Sequence, residues 1–130
     1  MGLALTVSEK ENSVFMVTPK GEINTETYKI LEEGVKDAQV KAKALILEMG
    51  GVSYISSMGL SAIFRIKLAI EERGGTIALV NMQPQVQQVF ETMKVLSPQM
   101  FASLQEADDY LDKFLDGVQK GTIKPREPLE

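Results

Sequence analysis

Four serines lie in the segment GGVSYISSMGLSAIF, residues 50–64, which contains no Asp, Glu, His, Cys or Lys. A serine hydroxyl is a weak nucleophile unless a neighbouring base removes its proton, and this segment offers no base. A hydroxyl that accepts a phosphoryl group needs no base of its own, because the modifying kinase supplies it. The segment therefore favours a serine that is modified over a serine that catalyses a reaction.

The whole chain lacks the residues on which much enzyme chemistry depends. Its 130 residues include no histidine and no cysteine. Their absence excludes disulfides, thiolate chemistry, the usual zinc sites and histidine-based triads or proton shuttles. The formal net charge is −4 and no basic cluster is visible, so nucleic-acid binding has little electrostatic support. We predict no catalytic residue, no metal ligand and no cofactor.

The order of apolar patterns predicts one α/β domain. Two strands with a polar turn near residues 9–13 are expected first, then a helix that Asn24 or Thr25 caps. The segments 44–50 and 76–82 are continuous apolar runs, which is typical of strands buried on both faces. The order β-β-α-β-α-β-α-(β)-α predicts a mixed, mostly parallel sheet of four to five strands with about four helices.

The domain is assigned to residues 1–116, and residues 117–130 to a flexible C-terminal tail. The final Leu-Glu pair is interpreted as a cloning remnant, and Ser103 is expected to cap the last helix. No signal peptide and no apolar run of about 18 residues is visible, so we expect the protein in the cytoplasm without membrane insertion.

The serines occupy a junction between a predicted strand and a predicted helix. The strand ends at Glu48, a loop is expected over residues 49–56, and the helix opens at about Ser57. In an open α/β sheet, function tends to lie at the carboxyl ends of the strands. Two interpretations remain open. The hydroxyl caps the helix, which is worth about 1 kcal/mol, or it carries a phosphoryl group that free amides and the helix dipole stabilise.

The helix after the junction has two different faces. At about 100° per residue, its core face runs from Gly59 to Ile70. The opposite face mixes polar and apolar side chains, namely Met58, Ser61, Arg65, Leu68 and Glu72, with Leu60 and Phe64 on its flank. An exposed apolar cluster beside a modifiable hydroxyl indicates a surface for a partner, and coverage by another element of the fold is the alternative.

The segment LILEMGGVSYISSMGLSAIFRI resembles the signature of STAS domains, the family of bacterial anti-sigma-factor antagonists. That signature is a buried strand, a short loop, an aromatic followed by an apolar residue, and then Asp or Ser before Ser-x-Gly-Leu at the start of a helix. The segments VTPKGEINTETYKIL and GGTIALVNMQPQVQQVFETMKVL resemble the family's other elements, so the resemblance covers residues 1–116.

The resemblance implies that Ser57, two residues before the glycine, is phosphorylated, with Ser56 as the less favoured acceptor. In the family, the unmodified domain binds an anti-sigma factor that has serine-kinase activity, and so frees a sigma factor. Phosphorylation blocks this binding and a serine phosphatase restores it. The resemblance also implies a partner-binding surface, where Gly59 lets the partner approach closely. Its residues are Asn24, Ser56, Met58, Gly59, Leu60, Ser61, Phe64, Arg65 and Leu68.

Two positions depart from the family pattern, because Asn24 and Ser56 stand where Asp is frequent. Both changes remove a carboxylate near the acceptor. They favour a second hypothesis, a constitutive accessory subunit of a transporter or stress-signalling complex that is not phosphorylated.

A flavodoxin-like enzyme or nucleotide binder is a third hypothesis, but the chain has no GK[ST] phosphate loop and no G-x-G-x-x-G motif. Glu48 stands where the family usually has Asp, and we expect it to bind loop amides.

Overall fold

A twisted sheet with helices on both faces forms the protein. The computed structural model describes residues 2–92, 99–101, 105–107 and 109–113, with the backbone alone for 99–101. The strands are β1 (Leu3–Glu9), β2 (Val14–Ile23), β3 (Ala44–Glu48), β4 (Val52–Ile55), β5 (Thr76–Val80) and β6 (Gln99–Phe101). The helices are α1 (Tyr28–Lys41), α2 (Ser57–Glu72) and α3 (Pro84–Thr92), with a 3-10 turn at Glu11–Ser13. Residues 105–107 and 109–113 are also helical.

The strand pairing confirms the predicted mixed, mostly parallel sheet. β1 is antiparallel to β2, and the remaining pairs in the order β1-β2-β3-β5-β6 are parallel. β4 is a short additional strand that pairs with β2 at residues 21–23, beyond the stretch 14–17 that pairs with β3. Pro19 lies between these two stretches of β2, where its inability to donate a ladder hydrogen bond costs least.

The opening hairpin and the short edge strand are confirmed. The hairpin turns through Asn12 and Ser13, whose φ angles of 63° and 60° are positive. Asn adopts this left-handed conformation more readily than most residues. β6 lies at the edge of the sheet, as predicted for residues 99–103. The predicted cap at Ser103 and the boundary between residues 116 and 117 lie outside the described residues.

The two apolar strands are buried on both faces because each side of the sheet has its own core. Leu45 and Leu47 of β3 belong to the core beneath α1, α2 and α3. Ala44 and Ile46 belong to a second core, which Leu111 of the C-terminal helical residues covers. Alternate side chains of a strand point to opposite faces, so a continuous apolar run fills both cores. In the part of the chain that the structure describes, no helix is long and apolar enough to cross a membrane.

Candidate functional site

The predicted loop over residues 49–56 is partly a strand, which corrects the sequence analysis. β4 occupies four residues of it, with Val52 and Ile55 buried and Ser53 and Tyr54 exposed. Val52 pairs with Gly21 and Tyr54 pairs with Glu22, so Ser53 is an extra residue that bulges out of the ladder. An apolar pattern of only four residues does not distinguish a strand from a loop in the sequence. Pairing with the end of β2 is what makes this segment a strand.

Two strands end side by side at the start of α2. Ile23, the last residue of β2, pairs with Ile55, the last residue of β4. The Ser56 amide then donates to the Ile23 carbonyl at 2.9 Å. Because the next residues are Asn24 and Ser56, the two positions that depart from the family pattern are neighbours at the carboxyl ends of parallel strands.

The adjacent serines at this junction have different roles. Ser56 is the N-cap residue of α2: its Oγ accepts a hydrogen bond from the Gly59 amide at 3.1 Å, and its carbonyl accepts one from the Leu60 amide at 2.8 Å. Ser57 is the first residue of α2 and is exposed. Within the described part of the chain, no hydrogen bond engages the Ser57 hydroxyl. The capping interpretation therefore holds for Ser56, and Ser57 is left accessible.

The start of α2 offers a favourable environment for a negative charge. Ser56 satisfies the third and fourth amides of the helix, and among the described residues the amides of Ser57 and Met58 have no acceptor. Unpaired amides at a helix start carry partial positive charge, and α2 is 16 residues long, which aligns many peptide dipoles. A phosphoryl group on Ser57 would therefore lie next to free donors.

Asn24 shapes the turn before α1 rather than capping the helix itself. Its Oδ1 accepts hydrogen bonds from the amides of Glu26 at 2.9 Å and Thr27 at 3.1 Å, and its Nδ2 donates to Glu22 Oε1 at 3.2 Å. α1 begins at Tyr28 with Thr27 as N-cap residue, so the prediction that Asn24 or Thr25 caps it is wrong in position. Residues 25–27 form a turn between β2 and α1, and Asn24 stabilises that turn.

The outer face of α2 presents a partly apolar surface, here called the α2 surface: Ser57, Met58, Ser61, Phe64, Arg65 and Leu68. Met58 and Leu68 are 39% and 40% exposed, while Ser61 and Phe64 are half-buried. The ring of Phe64 packs edge-on against Phe90 of α3, with centroids 6.4 Å apart and planes at 80°. α3 thus covers Phe64 from one side and leaves Met58 and Leu68 open.

Arg65 on the α2 surface is held by α1. Its Nε donates to Glu32 Oε2 at 2.8 Å, and its Nη2 contacts the same oxygen. The two side chains are 52% and 32% exposed, so the pair lies at the rim of the surface and in contact with water. Glu32 was not a predicted site residue. A repeat of acidic and basic residues on α1 gives no sign of which one faces α2, so only the structure identifies it.

Two residues predicted for the partner-binding surface are inside the protein. Leu60 is 3% exposed and belongs to the main core. Gly59 is buried, and a Cβ there would lie 2.6 Å from the Ile23 carbonyl oxygen. The glycine therefore lets α2 approach β2 closely, and it does not face a partner. The helical periodicity placed Gly59 on the core face, as the structure does, and the resemblance alone assigned it to a partner. Leu60, predicted on the flank of the outer face, belongs to the core instead.

Glu48 holds the neighbouring loops together, as predicted. Its Oε1 accepts from the Gly50 amide at 3.3 Å, and its Oε2 accepts from Asn81 Nδ2 at 2.6 Å. Gln83 and Gln85 extend this network by donating to the carbonyls of Gly50 and Ser53. These bonds fix the segment that leads into β4. Among the described residues, no group of three or more acidic side chains is arranged to hold a metal ion.

Comparison with protein-family profiles matches residues 6–107 to the STAS domain. The chain belongs to the STAS domain family. This confirms the resemblance seen in the Ser-Ser-x-Gly-Leu segment. A comparison with curated protein sequences finds no match.

Solved structures share the fold of this STAS domain. The Thermotoga maritima protein TM1081 is 22% identical with a TM-score of 0.76, over 83% of this chain and 94% of that one. The anti-sigma factor antagonist SpoIIAA from Bacillus, unphosphorylated, is 19% identical with a TM-score of 0.67, over 84% of this chain and 98% of that one. The murine anion transporter Slc26a9 is 21% identical with a TM-score of 0.67, over 86% of this chain but 22% of that one. At these identities the likeness concerns the fold.

Proposed function

We propose that this STAS domain is a non-catalytic binding module of the anti-sigma-factor antagonist type, which phosphorylation of Ser57 detaches from its partner. The observation that carries the proposal is the division of roles between adjacent serines, since Ser56 caps α2 while Ser57 stays exposed and unbonded among the described residues. The likeness to SpoIIAA, solved in both its unphosphorylated and phosphorylated forms, supports it.

The partner is an anti-sigma factor with serine-kinase activity, and it docks on the α2 surface. Met58 and Leu68 provide the apolar area that the partner buries, because they keep about two fifths of their surface in the free domain. Arg65 and Ser61 form a polar rim. Asn24 and Ser56 lie at the end of this surface nearest the acceptor, where their side chains are already engaged with the backbone.

Phosphorylation would act by charge rather than by unfolding the domain. A phosphoserine carries about −1.5 to −2 charges, and the free amides at the start of α2 tolerate it. The same charge beside Met58 must lose its hydration when a partner covers the α2 surface, and this desolvation is costly. The modified domain therefore stays folded and releases the partner, and a serine phosphatase reverses the change in the cytoplasm.

The first experiment identifies the acceptor. The protein is incubated with a candidate anti-sigma serine kinase and ATP, and phosphopeptides are mapped by mass spectrometry. We expect phosphate on Ser57, lost in Ser57→Ala and retained in the matched control Ser53→Ala, which also removes an exposed hydroxyl near the junction. Equal phosphorylation of Ser57→Ala and the unchanged protein would contradict the assignment.

The second experiment tests the α2 surface. Leu68→Glu places a charge among the exposed apolar residues and is expected to weaken binding of the anti-sigma factor at least about tenfold. Val40→Glu is the matched control, because Val40 is 60% exposed on the outer side of α1. Calorimetric titration measures the affinity of each variant for the anti-sigma factor. If they bind equally well, the partner does not use this surface.

A constitutive accessory subunit of a transporter or stress-signalling complex is the second candidate. Two observations favour it: neither Asn24 nor Ser56 supplies a carboxylate beside the acceptor, and part of the anion transporter Slc26a9 shares the fold. Co-purification from the source cell separates the candidates. A small serine kinase in the bound fraction supports the antagonist, and a transporter protein with Ser57 unmodified supports the accessory subunit.

A further inference from the structure

One edge of the sheet is unusually open. β1 is the first strand in the sheet order, and within the described chain its outer edge pairs with no other strand. Natural proteins protect such edges with Pro, Lys, bulges or very short strands. β6, at the opposite edge, has three residues. β1 has seven, contains neither Pro nor Lys, and is paired with β2 without a register shift.

The sequence of β1 is compatible with pairing to itself. In an antiparallel twofold arrangement centred on Thr6, Leu5 lies opposite Val7 of the second copy, and Ala4 lies opposite Ser8. The Leu5–Val7 pairs therefore meet at the centre of one face, with Leu3 and Glu9 at its ends, and the small or polar Ala4, Thr6 and Ser8 meet on the other face. The one charged residue of the strand, Glu9, lies opposite Leu3, so no charge faces a like charge.

α1 adds apolar surface along the same edge. A Cβ at Gly34 would collide with the end of the Leu5 side chain, which places the Gly34 side of α1 over β1. Ile30 lies one turn earlier on that side and is 43% exposed, and Val7 of β1 is 40% exposed. Twofold pairing brings both residues toward the second copy, and it gives these exposed apolar side chains a partner.

We infer that a second copy of this chain binds at β1, and that the two sheets join into one continuous sheet through an antiparallel β1–β1 contact. An isologous interface of this kind needs a self-complementary strand, which β1 provides. α1 lies between the β1 edge and α2, so the dimer leaves Ser57 and the α2 surface open on both copies. The inference does not depend on phosphorylation of Ser57.

An experiment that introduces opposite charges at Thr6 in two variants tests the contact. The twofold axis places the two Thr6 side chains opposite each other, so Thr6→Lys or Thr6→Glu sets like charges in contact. Thr6 is exposed on the face away from α1, so both variants should fold, which circular dichroism verifies. In sedimentation equilibrium from about 10 μM to about 1 mM, the unchanged protein should rise from 14.3 kDa toward twice that mass.

Each Thr6 variant should dimerise at least about tenfold more weakly, and an equimolar mixture of the two should dimerise again. Val40→Lys, on the outer side of α1, should dimerise like the unchanged protein. A mass of 14.3 kDa at every concentration would overturn the inference, and so would a mixture that stays monomeric. Should a variant not fold, hydrogen exchange of the β1 amides in the unchanged protein replaces it: slowing with concentration supports the contact, and concentration-independent exchange overturns it.

Discussion

The inner and outer faces of α2 are both rich in apolar side chains, yet their surroundings differ. Ile63 and Ile66 on the inner face are 0% and 2% exposed, whereas Met58 and Leu68 on the outer face are 39% and 40% exposed. Folding already buries the apolar side chains of the inner face, so substitutions there change the free energy of unfolding. Among the described residues the outer face keeps its apolar surface exposed, and in the function we propose its residues act on binding.

The two faces differ most clearly at Gly59 and Ser61, two small residues of α2. Gly59 faces β2 at a distance that excludes a side chain, and Ser61 lies half-buried toward the outside. A methyl group is an obstacle at the first position and is harmless at the second. Three predictions, in order of the expected effect, test the contrast between enclosed and exposed residues of α2.

Gly59→Ala should lower the free energy of unfolding by about 1–3 kcal/mol, because the new Cβ meets the Ile23 backbone and pushes α2 away from the sheet. Urea denaturation measures the change. The matched control Ser61→Ala should stay within about 0.5 kcal/mol of the unchanged protein. A stable Gly59→Ala variant would mean that α2 does not approach β2 so closely, and that the distinction between the faces is weaker than described.

Ser56→Ala should lower the free energy of unfolding by about 1 kcal/mol, because it removes the acceptor for the Gly59 amide. Ser57→Ala should change it by less than about 0.5 kcal/mol, since among the described residues no hydrogen bond reaches that hydroxyl. Thermal and urea denaturation of the two variants give the difference. Equal effects would show that the two serines share the capping role.

The Arg65–Glu32 pair should contribute about 0.2–1 kcal/mol, because both side chains contact water and salt screens them. A double-mutant cycle with Arg65→Ala and Glu32→Ala isolates this coupling energy, and it should shrink further in high salt. A coupling energy well above this range would indicate that the rim of the α2 surface also contributes substantially to the stability of the fold.

Much of the fold could be read from the sequence because its signals are local. The apolar runs of β3 and β5, the turn of the opening hairpin and the amphipathic pattern of α2 each reflect neighbouring residues. β4 was missed because four residues carry too little pattern, and its pairing partner lies about 30 residues earlier in the chain. Burial at the boundary of a helix face depends on which element packs there, which explains why Leu60, predicted on the flank of the outer face, is buried.

The sequence by itself determined the absence of histidine and cysteine chemistry, the alternation of strands and helices, and the serine pair at the start of a helix. Local composition and periodicity suffice for these, because they depend on residue types and short spacings. Only the tertiary structure decided that Ser56 rather than Ser57 caps α2, that Glu32 holds Arg65, and that Leu60 is buried in the main core. Glu32 and Arg65 are 33 residues apart along the chain and meet only because α1 packs beside α2. Leu60 is buried by the elements packed around it, and Ser56 becomes the N-cap residue because β4, paired with β2, ends at the residue before it.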